Sequence, residues 1–182
     1  NTLVQIAASG PDSNAPTILY SLLQAISLAK EEILITTPYF IPGESLLDAL
    51  IVASLGGIAV KIIVPGISDS RLVNAAARSY YDDLLAAGVE IYMYKKGFVH
   101  AKTMVTDGMV SVIGTANMDY RSFELNFEVN ALVYDTGTAK QMRDIFYTDL
   151  QDCERVDPAR WEGRKVYKKM LEKTARLVSP LL

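Results

Sequence analysis

Residues Ile58 to Val64 read IAVKIIV, apolar at every position but one. A short run of that content predicts a strand covered on both faces, and such a strand needs helices above and below its sheet. The flanking sequence supplies them. Leu3 to Ala8 predicts a first strand, closed by Gly10, Pro11 and Asp12. Pro16 suits the first position of a helix running to about Glu32, with Ile18, Leu22, Ala25, Ile26 and Ala29 as its apolar face. Ile33 to Thr37 is a β-branched strand ended by Pro38. A helix from about Glu44 carries Leu46, Leu47, Leu50 and Ile51 at helical spacing and stops at Gly56-Gly57. Asp69 caps a longer helix to Ala87, stopped by Gly88, and Val89 to Tyr94 is the next strand. Strand and helix alternate, which predicts an α/β layer fold with a largely parallel central sheet.

From Val99 the pattern changes to consecutive strands: Ala101 to Thr106, Val110 to Ile113 and Phe127 to Tyr134. Asp107-Gly108 between the first two is a tight-turn signal for a hairpin. A helix from about Thr138 to Cys153 follows, then a charged C-terminal segment. No internal repeat is visible, and 182 residues suit one domain, 1–182, of which residues 157–182 form a basic terminal segment. With 50% hydrophobic and 21% charged residues the chain is neither disordered nor fibrous. No run approaches the ~18 apolar residues of a membrane span. A net charge of −3 argues against a general nucleic-acid binder. Cys153 is the single cysteine, so no internal disulfide forms. Asn1 opens the chain without a basic-then-apolar leader, so it reads as a fragment or processed piece.

The single histidine, His100, constrains the chemistry most. Lys102 lies two residues on, and alternation along a strand sends i and i+2 to one face, so imidazole and ammonium point together. A neutral imidazole beside a fixed cation suits a phosphate group: Lys attracts the anion while His attacks it or transfers a proton. Gly114-Thr115-Ala116-Asn117 repeats the logic, since Thr115 and Asn117 can donate to phosphate oxygens without adding charge, and Gly114 permits close backbone approach. Glu128 can accept the far N–H of His100 and fix its tautomer, as a triad carboxylate does. No residues show metal-ligand spacing.

The string HAKTMVTDGMVSVIGTANMDYRSFELNFEVNALVYD resembles the HxKxxxxD signature of the phospholipase D superfamily with its following G-[S/T]-x-N element. Within that superfamily it is most similar to the C-terminal catalytic half of bacterial cardiolipin synthases, as are TTPYFIPGESLLDAL, LLAAGVEIYMY and the terminal RLVSPLL. The resemblance implies an α-β-α sandwich with a mixed sheet flanked by helices. It also implies transfer of a phosphatidyl group between phosphatidylglycerol molecules through a phosphohistidine, with release of glycerol and without cofactor or metal. His100, Lys102, Asp107, Asn117 and Glu128 then form the catalytic set, with Lys102, Thr115 and Asn117 on the phosphate. Asp107 in that motif is usually a structural residue, and here it also begins the turn. Thr115 departs from the Ser of many members and keeps the hydroxyl.

The resemblance implies two facing HxK motifs, yet this chain has one. The second comes from an N-terminal half or from a homodimer mate. Whether His100 is nucleophile or acid stays open; the C-terminal histidine of such pairs is more often assigned the acid role. Two alternatives stand beside the transferase: a homodimeric phosphodiesterase or nuclease, and a non-catalytic membrane-docking domain. Any location at the bacterial inner membrane belongs to the resembled parent.

Elsewhere, Asp82-Asp83 and Asp149-Asp152 read as solvated acidic pairs. Tyr39 and Phe40 follow a strand's C-terminal end, where α/β folds place their sites, and equally suit the core. Tyr80-Tyr81 reads as packing and Cys153 as a helix-end thiol. Arg160, Arg164, Lys165, Lys168, Lys169, Lys173 and Arg176 crowd the tail among Trp161, Val166, Tyr167 and Met170, against only Glu162 and Glu172. That pattern suits either an anionic bilayer surface or a solvated terminal helix.

Overall fold

A computed structural model describes residues 2–68 and 70–177. Ten strands and seven α-helices follow in this order: β1 (Leu3–Ser9), α1 (Thr17–Leu28), β2 (Glu32–Thr36), β3 (Phe40–Ile41), α2 (Glu44–Leu55), β4 (Ala59–Pro65), α3 (Arg71–Ser79), α4 (Tyr81–Ala86), β5 (Glu90–Tyr94), β6 (Thr103–Thr106), β7 (Val110–Gly114), β8 (Met118–Asp119), β9 (Glu128–Tyr134), α5 (Thr136–Leu150), β10 (Cys153–Arg155), α6 (Pro158–Glu162) and α7 (Val166–Leu177). A single π-helical turn, Arg121–Leu125, precedes β9.

Eight strands form one mixed sheet in the order β1-β9-β7-β6-β2-β4-β5-β10, and β3 pairs with β8 beside it. The expected two-sided burial holds. Ile33, Ile35, Val60, Ile62 and Val64 face a core shared with α1, α2 and α4, while Leu34 and Ile63 face Ala139 and Phe146 of α5. Each such aliphatic side chain contributes roughly 1.5–3 kcal/mol on leaving water. The expected predominance of parallel pairing does not hold. Within the large sheet only β2–β4 and β4–β5 are parallel; the other five neighbouring pairs are antiparallel. Parallel pairs need a helical crossover, which α2 and the α3–α4 pair provide; after β5 the chain turns through hairpins instead. β1 joins none of the three parallel strands but pairs with β9 at the far edge.

Several boundaries move for local reasons. Pro16 is the N-cap of α1, and the helix ends at Ala29, because Glu32 already belongs to β2. The long helix expected from Asp69 to Ala87 breaks at Tyr80 into α3 and α4, so that Tyr80 and Tyr81 both enter the core. Asp69 lies outside the described residues; the Ser70 hydroxyl accepts from the Val73 N–H at 3.4 Å and caps α3. The last sheet helix stops at Leu150, and Cys153 starts the edge strand β10 against β5 rather than ending a helix.

The hairpin between β6 and β7 forms as expected. Asp107 (φ 54°) and Gly108 (φ 57°) are both left-handed, the pair a type I′ turn requires. The tail is partly inward-facing. Arg164 donates to both Glu172 oxygens (2.7 and 2.8 Å) and Arg176 to Asp83 (2.9 Å), with Arg164 3.5 Å over the Trp161 ring. Asp83 is exposed as expected and also anchors α7 through Arg176, while half-buried Asp82 lies 3.4 Å from Arg164 just ahead of that helix.

Candidate active site

The C-terminal ends of the parallel strands β2, β4 and β5 share one sheet edge with the start of β6, the end of β7 and the start of β9. Open α/β sheets place ligands at such an edge, where loops leave the strands and the backbone no longer saturates itself. His100 sits in the loop between β5 and β6, exposed to solvent, and Lys102 is half-buried beside it. Regular strand begins only at Thr103, yet the expected convergence of the two side chains holds. Lys102 Nζ lies 3.3 Å from His100 Nδ1 and 3.2 Å from Nε2, and donates to the His100 carbonyl at 3.1 Å. The near-equal distances keep the charge beside the ring rather than in line with one lone pair. Burial pushes the Lys102 ammonium below its ordinary range, against the opposing pull of Glu128 and Asp119. Phe98, two residues before His100, stands 5.9 Å from the imidazole and 6.1 Å from the Tyr39 ring. Tyr39 thus walls the site while Phe40 is core.

Asn117 reaches the same edge. Its N–H donates to Ser122 Oγ (3.0 Å), its side chain donates to Asp119, and its Oδ1 is buried without a partner. Asp119 also accepts from the Ser122 N–H at 2.8 Å. Burial raises the Asp119 carboxyl, those hydrogen bonds oppose the shift, and the Glu128 charge adds to it. Asp119 and Ser122 were missed in the sequence, although Asp119 repeats the i+2 spacing that joins His100 to Lys102. Asn117 and Asp119 line a cavity of about 270 Å3 with Tyr39, Ser70, Arg121 and Asn126. A larger hollow of about 510 Å3 lies at the opposite sheet edge, around Gln5, Asp107 and Tyr134, away from His100.

Two expected placements change, those of Glu128 and Thr115, and Asp107 has the structural place its turn implies. Glu128 does not bond His100: its carboxylate accepts from Asn126 Nδ2 at 3.2 Å, two residues back at the end of the π-helical turn. It acts on Lys102 through its charge alone. Thr115 is occupied with the sheet, its Oγ1 accepting from the Val129 N–H at 3.0 Å and lying 3.4 Å from the Val129 carbonyl. Asp107 is beyond the far end of β6, about 13 Å of strand away. There it accepts from the N–H groups of Lys30, Glu31 and Glu32, each at 2.9 Å. Gly114 does permit close approach, but of β9: a Cβ there would meet Asn130 Oδ1 at 2.0 Å and the Val129 carbonyl at 2.5 Å.

Residues 22–150 match the family model described as cardiolipin synthase, PLD-like domain. The chain is 46% identical over 179 residues to cardiolipin synthase 2 of Bacillus anthracis. It belongs to the PLD-like domain family of cardiolipin synthases. A cardiolipin synthase of Clostridium perfringens (strain SM101) is 45% identical over 178 residues. Each alignment covers 98% of this chain but only 35% and 37% of those relatives, so the chain spans about a third of their length. In fold it is similar to phosphatidylserine synthase of Haemophilus influenzae (TM-score 0.75, 16% identity, 98% of this chain and 48% of that one). It is similar also to Nuc of Salmonella typhimurium, a phospholipase D family member (TM-score 0.73, 19% identity, 86% and 99%). The PLD-like domain accounts for the mixed sheet sandwiched by helices that the sequence predicts.

Proposed function

We propose that residues 1–182 form one half-site of a cardiolipin synthase-like phosphatidyltransferase acting on phosphatidylglycerol. The observation that carries this reading is the solvent-facing pair of His100 and Lys102, 3.2–3.3 Å apart, at the loop-bearing edge of the sheet. Lys102 draws the phosphate oxygens, and Asn117 holds them from the adjoining wall, its backbone fixed by Ser122. The imidazole then either attacks phosphorus or protonates the departing glycerol. One imidazole performs one of those roles, so the second HxK motif comes from another half or a second copy. Two displacements through phosphohistidine replace one hard substitution between like-charged phosphodiesters. Asp107 and Thr115 serve in this reading by shaping the backbone under the site.

The transfer takes place at an anionic lipid surface, the inner membrane in a bacterium. No helix among the described residues is long and apolar enough to cross a membrane. α7, however, exposes Val166, Tyr167, Met170, Leu171 and Leu177 on one arc, while its single acid, Glu172, turns inward to Arg164 and Arg78. Lys168 and Lys173 flank that arc, and each contributes about 1 kcal/mol near an anionic surface. Turnover of phosphatidylglycerol vesicles by the chain tests the function, beside His100→Ala and with or without the other half of a similar enzyme. Cardiolipin formed only with His100 intact supports the transferase; phosphatidic acid alone redirects it to a phospholipase. No turnover even after complementation removes the catalytic reading.

A further inference from the structure

The proposed reaction joins two anions. The donor phosphate is met by His100 and Lys102, but the acceptor phosphatidylglycerol carries its own phosphodiester, a glycerol headgroup's length from the hydroxyl that attacks. Water and neutral alcohols carry no such charge. A site that selects this acceptor therefore needs a second cation, near the first but separate from it.

One residue has that placement. Arg121 opens the π-helical turn and lines the 270 Å3 cavity beside Asn117 and Asp119. Its side chain is exposed, and among the described residues it forms no ion pair or side-chain hydrogen bond. Of the chain's seven other arginines, five are engaged: Arg78 and Arg164 with Glu172, Arg143 with Glu32, Arg155 with Glu90, Arg176 with Asp83. Arg71 and Arg160 form no ion pair among the described residues, but neither lines this cavity. The neighbouring carboxylate, Asp119, accepts from Ser122 and Asn117, and no ion pair joins it to Arg121. The turn is itself anchored, because the Asn126 N–H donates to the Arg121 carbonyl at 2.7 Å and Ser122 and Phe123 are buried. A planar guanidinium on a fixed turn suits two phosphate oxygens at once.

We propose that Arg121 binds the phosphodiester of the acceptor lipid and so selects an anionic phospholipid over water or a neutral alcohol. The inference rests on the phosphatidyltransferase reading. In the second half of that reaction the acceptor oxygen bonds to phosphorus as the phosphorus–nitrogen bond breaks. The hydroxyl proton passes to the imidazole that had protonated glycerol. Arg121 touches neither bond; it holds the acceptor so that the hydroxyl faces phosphorus.

The test compares acceptors. The unmodified chain, Arg121→Ala and Arg121→Lys, each complemented with the other half of a similar enzyme, receive phosphatidylglycerol vesicles with or without added ethanol. Cardiolipin and phosphatidylethanol are both measured. In Arg121→Ala the ratio of cardiolipin to phosphatidylethanol falls about 10- to 100-fold, the value of one charge-assisted contact, and Arg121→Lys recovers part of it. An unchanged ratio overturns the proposal, whether total turnover holds or falls, because Arg121 then serves both acceptors alike or neither. If the unmodified chain yields no product, the transferase reading fails by itself and a binding measurement decides Arg121. Monomeric dihexanoylphosphatidylglycerol, with phosphate-free dihexanoylglycerol as control, is titrated into His100→Ala and His100→Ala/Arg121→Ala chains. Binding weakened about tenfold or more for the anionic lipid alone supports the subsite; equal binding by both chains overturns it.

Discussion

The two ends of strand β6 come from one short motif and differ in almost every physical respect. At the start, His100 is exposed, its nearest polar neighbour is the Lys102 ammonium, and the adjoining Asn117 has a buried oxygen without a partner. At the end, Asp107 is saturated: three backbone N–H groups from the α1–β2 connection donate to its carboxylate, and its own N–H donates to the Glu32 carbonyl at 3.0 Å. One end leaves bonding capacity for a ligand, and the other spends all of it on the fold. A continuous sequence signature thus carries two separate jobs, divided by the length of a strand.

The largest effect that distinguishes the ends is His100→Ala. Phosphatidyl transfer falls on the order of 10³-fold or more, while the thermal midpoint moves by less than about 1 °C because an exposed side chain is removed. Kinetics and a calorimetric scan on the same preparation measure both. A variant that melts several degrees lower would place His100 among the groups that hold the fold and erase the contrast.

Alternation and punctuation made the layered fold legible: Ile58 to Val64 demanded two covered faces, and Asp107-Gly108 specified the hairpin. Strand direction was less legible, since β1 resembles the strand of a βαβ unit until β9, 119 positions downstream, takes it as an antiparallel partner (Ser9 with Glu128, for instance). The convergence of His100 and Lys102 was legible because i+2 spacing survives the loss of regular strand. The expected bond between Glu128 and His100 does not form, and nothing in a linear string reveals that Asn126 lies closer to that carboxylate. The tail likewise showed its charge but not its direction: burial of Arg164 and Glu172 against Trp161 depends on α3 and α4.

A smaller effect comes from beneath the site. Gly114→Ala drives a Cβ into Asn130 and the Val129 carbonyl, backbone that cannot retreat without parting β7 from β9. The expected cost is about 2–3 kcal/mol, a midpoint lower by roughly 4–10 °C, with transfer reduced because Thr115 and Asn117 move. A midpoint within 1 °C of the parent's would mean that the strands absorb the methyl, and that this end is looser than its geometry indicates. Asp107→Ala acts at the other end and should cost about 2 kcal/mol through three donors left without their carboxylate, with turnover per folded molecule within about twofold. Denaturant unfolding and active-site titration separate the two quantities. Lost turnover at full stability would move Asp107 back among the catalytic groups.

The smallest and sharpest contrast is in pH. Although burial pushes the Asp107 carboxyl up, hydrogen bonds from the N–H groups of Glu32, Glu31 and Lys30 outweigh it and hold the group below the usual carboxylate range. A carboxyl lowered in the folded state binds fewer protons there than in the unfolded chain, so it stabilises the fold at neutral pH. That contribution is complete above the unfolded value of about 3.9 and is lost as pH falls through the lower folded one. Asp107→Asn keeps the left-handed turn, which asparagine tolerates, and removes the titration together with one of the two acceptor oxygens, since an amide NH2 cannot accept from a backbone N–H. The stability gap between the parent and Asp107→Asn should therefore be widest at pH 6–7 and narrow as pH falls below about 4. A gap independent of pH would show that it comes from the lost acceptor alone, and that charge adds nothing at the structural end of the motif.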